Sequence, residues 1–412
     1  MAEKKKKSQR PMLRTSHTKG YYRFSKEFPS VKDSNGFRDN ETVINTPSKK
    51  ASFRKKIIAA SVVMFVIAFF VTSLAFSVSK LPIKNGNNTI GITNAPTGVS
   101  GISALCLPGE TLSLDSLDTL IGELKINRVN TVIIDFKDAN GYFYYKPSLN
   151  QSAEAISTAG ENSAKIVSEL KAAGFSVFAK ISLFADDIYA RNHRDLAAFV
   201  TTTPVSGSTE TKTSLYYSKT NGHAYLTPHS NEVTYYLSKI VSDISAMGAN
   251  AIIFDNAIIP TEAYEMGAKF PLSEGKTTAT AASELISYLI NSCPIPVGIS
   301  LNSSELLSYV RDNKTPAEIT ENADYIFLDA RASVAEKNTV IGNKTFVTPT
   351  AAAAEYAQDL ISSSLKLFEE AEYNCEIIAL VDEENLSGCI KAINSLNSDK
   401  ANNIAYNNEI NQ

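Results

Sequence analysis

From residue 101 onward, short β-branched runs alternate with amphipathic stretches. The runs read as strands at Gly101–Cys106, Asn130–Phe136, Ser176–Leu183, Ala251–Asp255, Pro296–Ser300, Tyr325–Leu328, Thr345–Thr348 and Glu376–Val381. Between them, helical spacing covers Leu114–Lys125, Ser163–Ala173, Asn231–Met247, Ala279–Ser292, Ala352–Ala371 and Glu383–Leu396. Gly174, Gly248 and Pro294 stand where a helix gives way to the next strand, as helix-to-strand turns prefer. Near-continuous apolar runs suit strands covered by helices. Repeated strand–helix units imply a parallel sheet. Eight of them within residues 98–400 predict an α/β fold, a (β/α)8 TIM barrel. An open doubly wound sheet is the rival, but no glycine-rich phosphate loop follows the first strand.

The N-terminal pattern is different. Residues 57–79 contain no charged side chain and are long enough to span a bilayer as one helix. Arg54, Lys55 and Lys56 abut that run, so the positive-inside rule keeps residues 1–56 cytoplasmic and places the C-terminal domain outside the cell membrane. Cleavage near Ser73 and Ala75 is the competing reading, but the basic region and the apolar run are both too long for a signal peptide. Residues 1–56 are predicted to be a disordered basic tail, 80–97 a linker, and 401–412 a C-terminal tail.

Charge refines the partners. The chain carries a net charge of −3. With 16 basic against 5 acidic residues in the first 56, the remainder holds a charge of about −14. An acidic external domain argues against nucleic acid as its partner. The basic tail suits anionic lipid, with an unidentified cytoplasmic partner left open. Cys106, Cys293, Cys375 and Cys389 lack metal-ligand spacing; a Cys375–Cys389 bridge and buried free thiols are equally compatible with the sequence. His193, His223 and His229 show no metal motif and read as surface or loop-packing residues, and no calcium-loop spacing occurs, so no cofactor is expected.

Candidate chemistry follows from strand parity. Val132, Ile134 and Phe136 are expected to face the helices, which sends Asp135 and Lys137 inward. The same rule turns Lys180, Asp255 and Asp329 into the barrel, with Arg331 just beyond. Glycoside hydrolysis needs two carboxyl groups, one acting as acid and the other as nucleophile or base. Asp255 is the expected nucleophile or base, and Asp329, Glu262 or Asp138 the acid. Asp135, Lys137, Lys180, Asn256 and Arg331 are expected to bind substrate, with Tyr142 and Tyr144 stacking on sugar faces. A salt-bridged barrel layer without chemistry is the alternative for the inward charges.

Three segments carry a resemblance: VNTVIIDFKDANGYFYY, GFSVFAKISLFADDIYARNHRDLAAF and AYLTPHSNEVTYYLSKIVSDISAMGANAIIFDNAIIP. Over residues 99–330 the chain resembles the bacterial putative glycosyl hydrolase domain family, TIM-barrel proteins distantly similar to the alpha-amylase clan. The resemblance implies that Asp135, Lys137 and Asp138 match the family's second-strand motif and that Asp255 matches the nucleophile position. Lys180 stands where the family tends to have Arg, Thr227 replaces an Asp, and Ser300 stands near a fifth-strand acid position. The chain has no tryptophan. Two functions are therefore carried forward. One is a membrane-anchored hydrolase of wall or environmental polysaccharide. The other is a catalytically silent barrel that binds glycan or serves as a cell-envelope interaction module.

Overall fold

The computed structural model describes residues 101–407, except 151, 203–210, 274, 313–321, 374 and 397. The strands are β1 (Ser103–Leu107), β2 (Thr131–Lys137), β3 (Ser176–Ser182), β4 (Phe199–Thr202), β5 (Lys212–Leu215), β6 (Ala251–Asp255), β7 (Val297–Asn302), β8 (Tyr325–Asp329), β9 (Thr339–Ile341), β10 (Lys344–Phe346), β11 (Glu376–Val381) and β12 (Asn403–Asn407). The α-helices are α1 (Leu117–Ile126), α2 (Ser163–Ala172), α3 (Asp187–Asn192), α4 (Asn231–Met247), α5 (Thr261–Glu265), α6 (Thr278–Ser292), α7 (Ser303–Asp312), α8 (Ala353–Glu370) and α9 (Leu386–Asn394).

Eight strands close into a parallel barrel in the order β1-β2-β3-β6-β7-β8-β11-β12, with β12 returning to β1. This is the TIM-barrel architecture that the alternating pattern predicts. Local chemistry sets the helix limits. Ser230 caps α4 by accepting from the backbone N–H of Glu232 and Val233, and Gly248 ends that helix in the left-handed region at φ 95°. Thr277 caps α6 through the N–H of Thr280.

Side-chain parity divides the apolar residues into two cores. Val132, Ile134, Val177, Ala179, Ile252, Phe254, Ile326 and Leu328 pack outward under the helices. Ala104, Cys106, Ile133, Phe178, Ile253, Phe327, Ile378 and Ala405 fill the barrel. The interior positions are small or aliphatic apart from two phenylalanines, as a packed barrel requires. All four cysteines are free thiols, and burial pushes the Cys106 thiol up to about 12.

Two strand assignments differ from expectation. The run 345–348 does not enter the barrel; Lys344–Phe346 pairs antiparallel with Thr339–Ile341 as a separate hairpin. The eighth barrel strand is Asn403–Asn407, within the segment expected to be a tail. It is short and polar at both ends, so its pattern is weak. Asn403 nevertheless fastens it, with Oδ1 accepting from the Ile102 N–H at 2.7 Å and Nδ2 donating to Glu376 at 3.1 Å. A β-carbon at Gly101 would lie 2.2 Å from that Oδ1, so the close approach requires glycine.

No helix among the described residues is long and apolar enough to cross a membrane. The expected span at 57–79, the basic tail and the linker at 80–97 all lie outside the described residues.

Candidate active site

Asp135, Lys180, Asp255 and Asp329 sit at the C-terminal ends of four barrel strands and point inward, the end at which barrels of this kind present reactive groups. Register puts Asp135 beside Lys180 and Ser182 beside Asp255. Lys180 Nζ lies 3.0 Å from Asp135 Oδ1 and 3.9 Å from Asp255 Oδ2. The closer partner is therefore Asp135, which leaves Asp255 with only a long contact to the ammonium. Asp255 keeps a third of its side chain in solvent, 34%. Burial raises the Asp135 carboxyl despite the opposing Lys180 charge. Burial alone would lower Lys180, but Asp135 and Asp255 hold it above its ordinary value.

Lys137 is elsewhere, which corrects its expected substrate-binding role. The β2–β3 register slips between Asp135 and Lys137, so Lys137 stands level with Ile181, an outward position. A bulge of this kind turns the following side chain to the opposite face. Lys137 Nζ is 2.9 Å from Asp186 Oδ2 and donates to the Ser182 carbonyl at 2.9 Å, with neither side chain of the ion pair exposed.

The three expected acids are already engaged. Asp138 organises the turn after β2, accepting from the Tyr142 N–H at 2.8 Å and the Tyr144 hydroxyl at 3.2 Å. Tyr144 is buried, whereas Tyr142 remains 42% exposed, so of the two only Tyr142 is free to stack on a ligand. Asp329 is held in a two-pronged pair with Arg331, at 2.8 Å to Nε and 2.6 Å to Nη2. That two-pronged pairing occupies both carboxylate oxygens. Beside Arg331 a cleft of about 420 Å³ opens over the ends of β8, β11 and β12, with Asp382 and Asn407 in its walls.

Glu262 serves a loop. Its carboxylate accepts from Ser218 Oγ at 2.6 Å, Thr220 Oγ1 at 2.8 Å, Thr220 N at 3.1 Å and the Tyr216 hydroxyl at 3.3 Å. Desolvation opposes ionisation there, but the Ser218 and Thr220 hydrogen bonds outweigh it and bring Glu262 down to about 2. A group so acidic cannot act as a general acid near neutrality. The loop it holds delivers Asn221, whose Nδ2 donates to the Tyr225 hydroxyl at 2.7 Å and to Asn256 Oδ1 at 3.1 Å. Asn256, in the left-handed region at φ 49°, donates in turn to Ser182 Oγ at 3.1 Å. Asn256 is thus the link between this loop and the strand that carries Asp255. The same loop is tied by His223, whose Nδ1 lies 3.1 Å from Asp187 Oδ2, a contact that raises the imidazole pKa.

Sequence reasoning missed Glu305. It stands in the first turn of α7, directly after β7, the barrel neighbour of β6. Burial, with the charge of Asp255 adding to it, pushes its carboxyl up to about 7, against hydrogen bonds from Asn302 that lower it. Asn302 Oδ1 accepts from the Glu305 N–H at 2.8 Å, and Glu305 Oε2 accepts from the Asn302 N–H at 2.9 Å. That is a capping box, and the sequence signal was Asn302-Ser303-Ser304-Glu305 following a strand. Tyr225 is raised chiefly by burial, with Glu305 and Asp255 both adding to the shift, so the three groups form one electrostatic cluster. Among the described residues no group of three or more His, Cys, Asp or Glu is arranged to hold a metal ion.

The family model described as a putative glycosyl hydrolase domain matches residues 104–326, more than half of the chain. The chain belongs to that family. The match runs from β1 into β8, so it contains Asp135, Lys180, Asp255 and Glu305 but ends before Asp329. No curated protein matches the chain. Among solved structures, it is similar to a hypothetical protein from Ruminiclostridium thermocellum, with 20% identity over 47% of this chain and 96% of that one and a TM-score of 0.38. The glycoside hydrolase domain of PelA from Pseudomonas aeruginosa is 11% identical over 76% of this chain and 97% of its own, with a TM-score of 0.40. Trehalose-6-phosphate hydrolase from Bacillus licheniformis is 10% identical over 70% and 57%, also at 0.40. Likenesses this distant do not bear on the chemistry.

Proposed function

We propose that the protein is a glycoside hydrolase anchored in the cell membrane by residues 57–79, with its barrel outside, acting on wall or environmental polysaccharide. One observation carries the chemistry. Asp255 ends β6 and Glu305 lies in the first turn of the helix that follows the neighbouring strand β7, both are half-buried, and Glu305 is pushed up to about 7 by burial with Asp255 contributing to the shift. Glycosidic cleavage needs two carboxyl groups, one of them able to hold a proton. Glu305 is the general acid, holding a proton for the leaving oxygen. Asp255 is the nucleophile or base, with the Lys180 ammonium nearby to steady its negative charge. Asp135 positions Lys180. Membership of a glycosyl hydrolase family supports the same reading, and the uncharged run behind a basic segment supports the anchor.

The test is release of reducing sugar from wall glycans and α-glucans by the full-length chain, with Asp255→Asn and Glu305→Gln beside it. Each substitution is expected to lower turnover by roughly 10²–10⁴-fold, the usual contribution of a positioned acid or base. Full activity in either variant refutes the assignment.

A second reading has its own support. Asp329 is locked by Arg331 and Glu262 by the Ser218–Thr220 loop, so the acid depends on one residue that already caps a helix. A barrel that binds glycan without turnover fits those facts. It predicts retention of polysaccharide with no release by any form of the chain.

A further inference from the structure

We propose that a second carbohydrate site lies on the outer shoulder of the barrel, between α3 and the first turn of α4, where a sugar ring of a longer glycan docks away from the Asp255 cluster. The inference rests on the glycan-directed function proposed above. A cleft of about 360 Å³ opens there, bordered by Asn150, Tyr189, Asn192, His193, Glu232 and Tyr235. It shares no lining residue with the Asp255–Glu305 cluster.

Behind it stands a column of three rings, of which Tyr189 and Tyr236 are buried and His193 is partly exposed. His193 stacks on Tyr189 with centroids 4.2 Å apart and planes 21° from parallel, and Tyr189 stacks on Tyr236 at 4.0 Å and 23°. A buried ion pair fixes this column. The Tyr236 hydroxyl donates to Asp186 Oδ2 at 2.7 Å, the Tyr189 N–H donates to Asp186 Oδ1 at 2.8 Å, and Lys137 Nζ neutralises the same carboxylate at 2.9 Å. Turning Tyr236 would break a hydrogen bond to a fully buried charge, which is costly, and the Tyr189 ring is held between its two stacked neighbours. The rings are therefore held in place before any ligand arrives, and binding loses little rotamer freedom.

Around the column the cleft changes character. Tyr235 is 62% exposed at the mouth, and Asn150, Asn192 and Glu232 are exposed polar groups on its border. A pyranose ring offers an apolar C–H face and an edge of hydroxyl groups. Exposed Tyr235, with partly exposed His193 braced by the column, stands beside amide and carboxylate arms and matches both, one by stacking and the other by hydrogen bonds. These exposed polar groups would be poor company for an apolar peptide face, because docking would take them out of water without supplying hydrogen bonds in exchange.

The experiment is a pull-down of the full-length chain on three insoluble probes: peptidoglycan sacculi, chitin and cellulose. It compares wild type, Tyr235→Ala, Asn192→Ala, Asp255→Asn and a remote exposed control, Tyr288→Ala, and assays each form in parallel for hydrolysis of soluble glycans. Both changed residues are exposed, so folding is preserved. The expected result is that Tyr235→Ala loses roughly tenfold in retention on the probe that binds, the size of loss that truncating an aromatic anchor brings. Asn192→Ala should weaken binding in the same direction, while Asp255→Asn and Tyr288→Ala bind as wild type does. Hydrolysis of short soluble glycans should be unchanged in Tyr235→Ala. Wild-type retention by the Tyr235 and Asn192 variants overturns the site, as does loss of retention in Asp255→Asn, which would place binding in the bowl. Failure of the wild type to bind any probe overturns it too. The soluble assay separately judges the hydrolase reading, so the two failures are distinguishable.

Discussion

Glu305 sits under opposed demands. The capping box favours its carboxylate, whereas burial and the Asp255 charge favour the acid, and the second pair wins. Its carboxyl in the native state therefore titrates near 7 rather than at the ordinary 4.5, so the native state holds this proton more tightly than the unfolded chain does. The resulting stability is complete below about 4.5 and is lost as pH rises towards 7, with a full amplitude of order 3 kcal/mol. Urea midpoints at pH 5 and pH 8 should differ in that direction for the wild type, and Glu305→Gln should reduce the difference. An unchanged difference would show that Glu305 is ionised throughout. The proposed hydrolytic activity should fall above about 7 as Glu305 deprotonates. Glu262 behaves in the opposite sense. Its depressed carboxyl gives stability above its unfolded pKa that disappears as pH falls through about 2. Much of its surface meets solvent, so Glu262→Gln should cost only about 1 kcal/mol. The clearer sign will be faster amide exchange at Thr220, whose N–H that carboxylate accepts.

At the scale of elements, the β2 bulge and the β12 strand govern the outcome. The bulge takes Lys137 from the bowl to a dry pairing with Asp186. Lys137→Ala would strand that carboxylate without a cation, at a cost of about 3–5 kcal/mol in chemical denaturation. A cost below 1 kcal/mol would mean that water reaches Asp186. The β12 strand joins β11 to β1. Ending the chain after Lys400 leaves two open sheet edges, so the shortened protein should aggregate or lose its cooperative melt. Parity along β2, β3, β6 and β8 was legible in the sequence because successive side chains alternate across a strand, and the inward placement of Asp135, Lys180, Asp255 and Asp329 followed from it. The pairing of 344–346 with 339–341 was not legible, since a short β-branched run does not name its partner.

For the whole molecule, the proposed anchor makes a cell-level prediction. The full-length chain should remain with membranes after carbonate extraction, and external protease should reach residues 101–407 but not 1–56. Release into the soluble fraction, or protection of the barrel, would remove the topology on which the proposed substrate depends.

The sequence by itself determined the alternation of strands and helices, the inward face of four strands and the family to which their motifs belong. Those properties follow from short-range periodicity and from residues close together along the chain. Tertiary structure alone decided which carboxylates remain available. Asp329 met Arg331, Glu262 met the Ser218–Thr220 loop, and Lys137 was turned to Asp186. Glu305, unremarkable in the chain, acquired an acid's pKa from burial and from the charge of Asp255. Protonation depends on burial and on charges brought near by the fold, and a linear pattern does not contain either quantity.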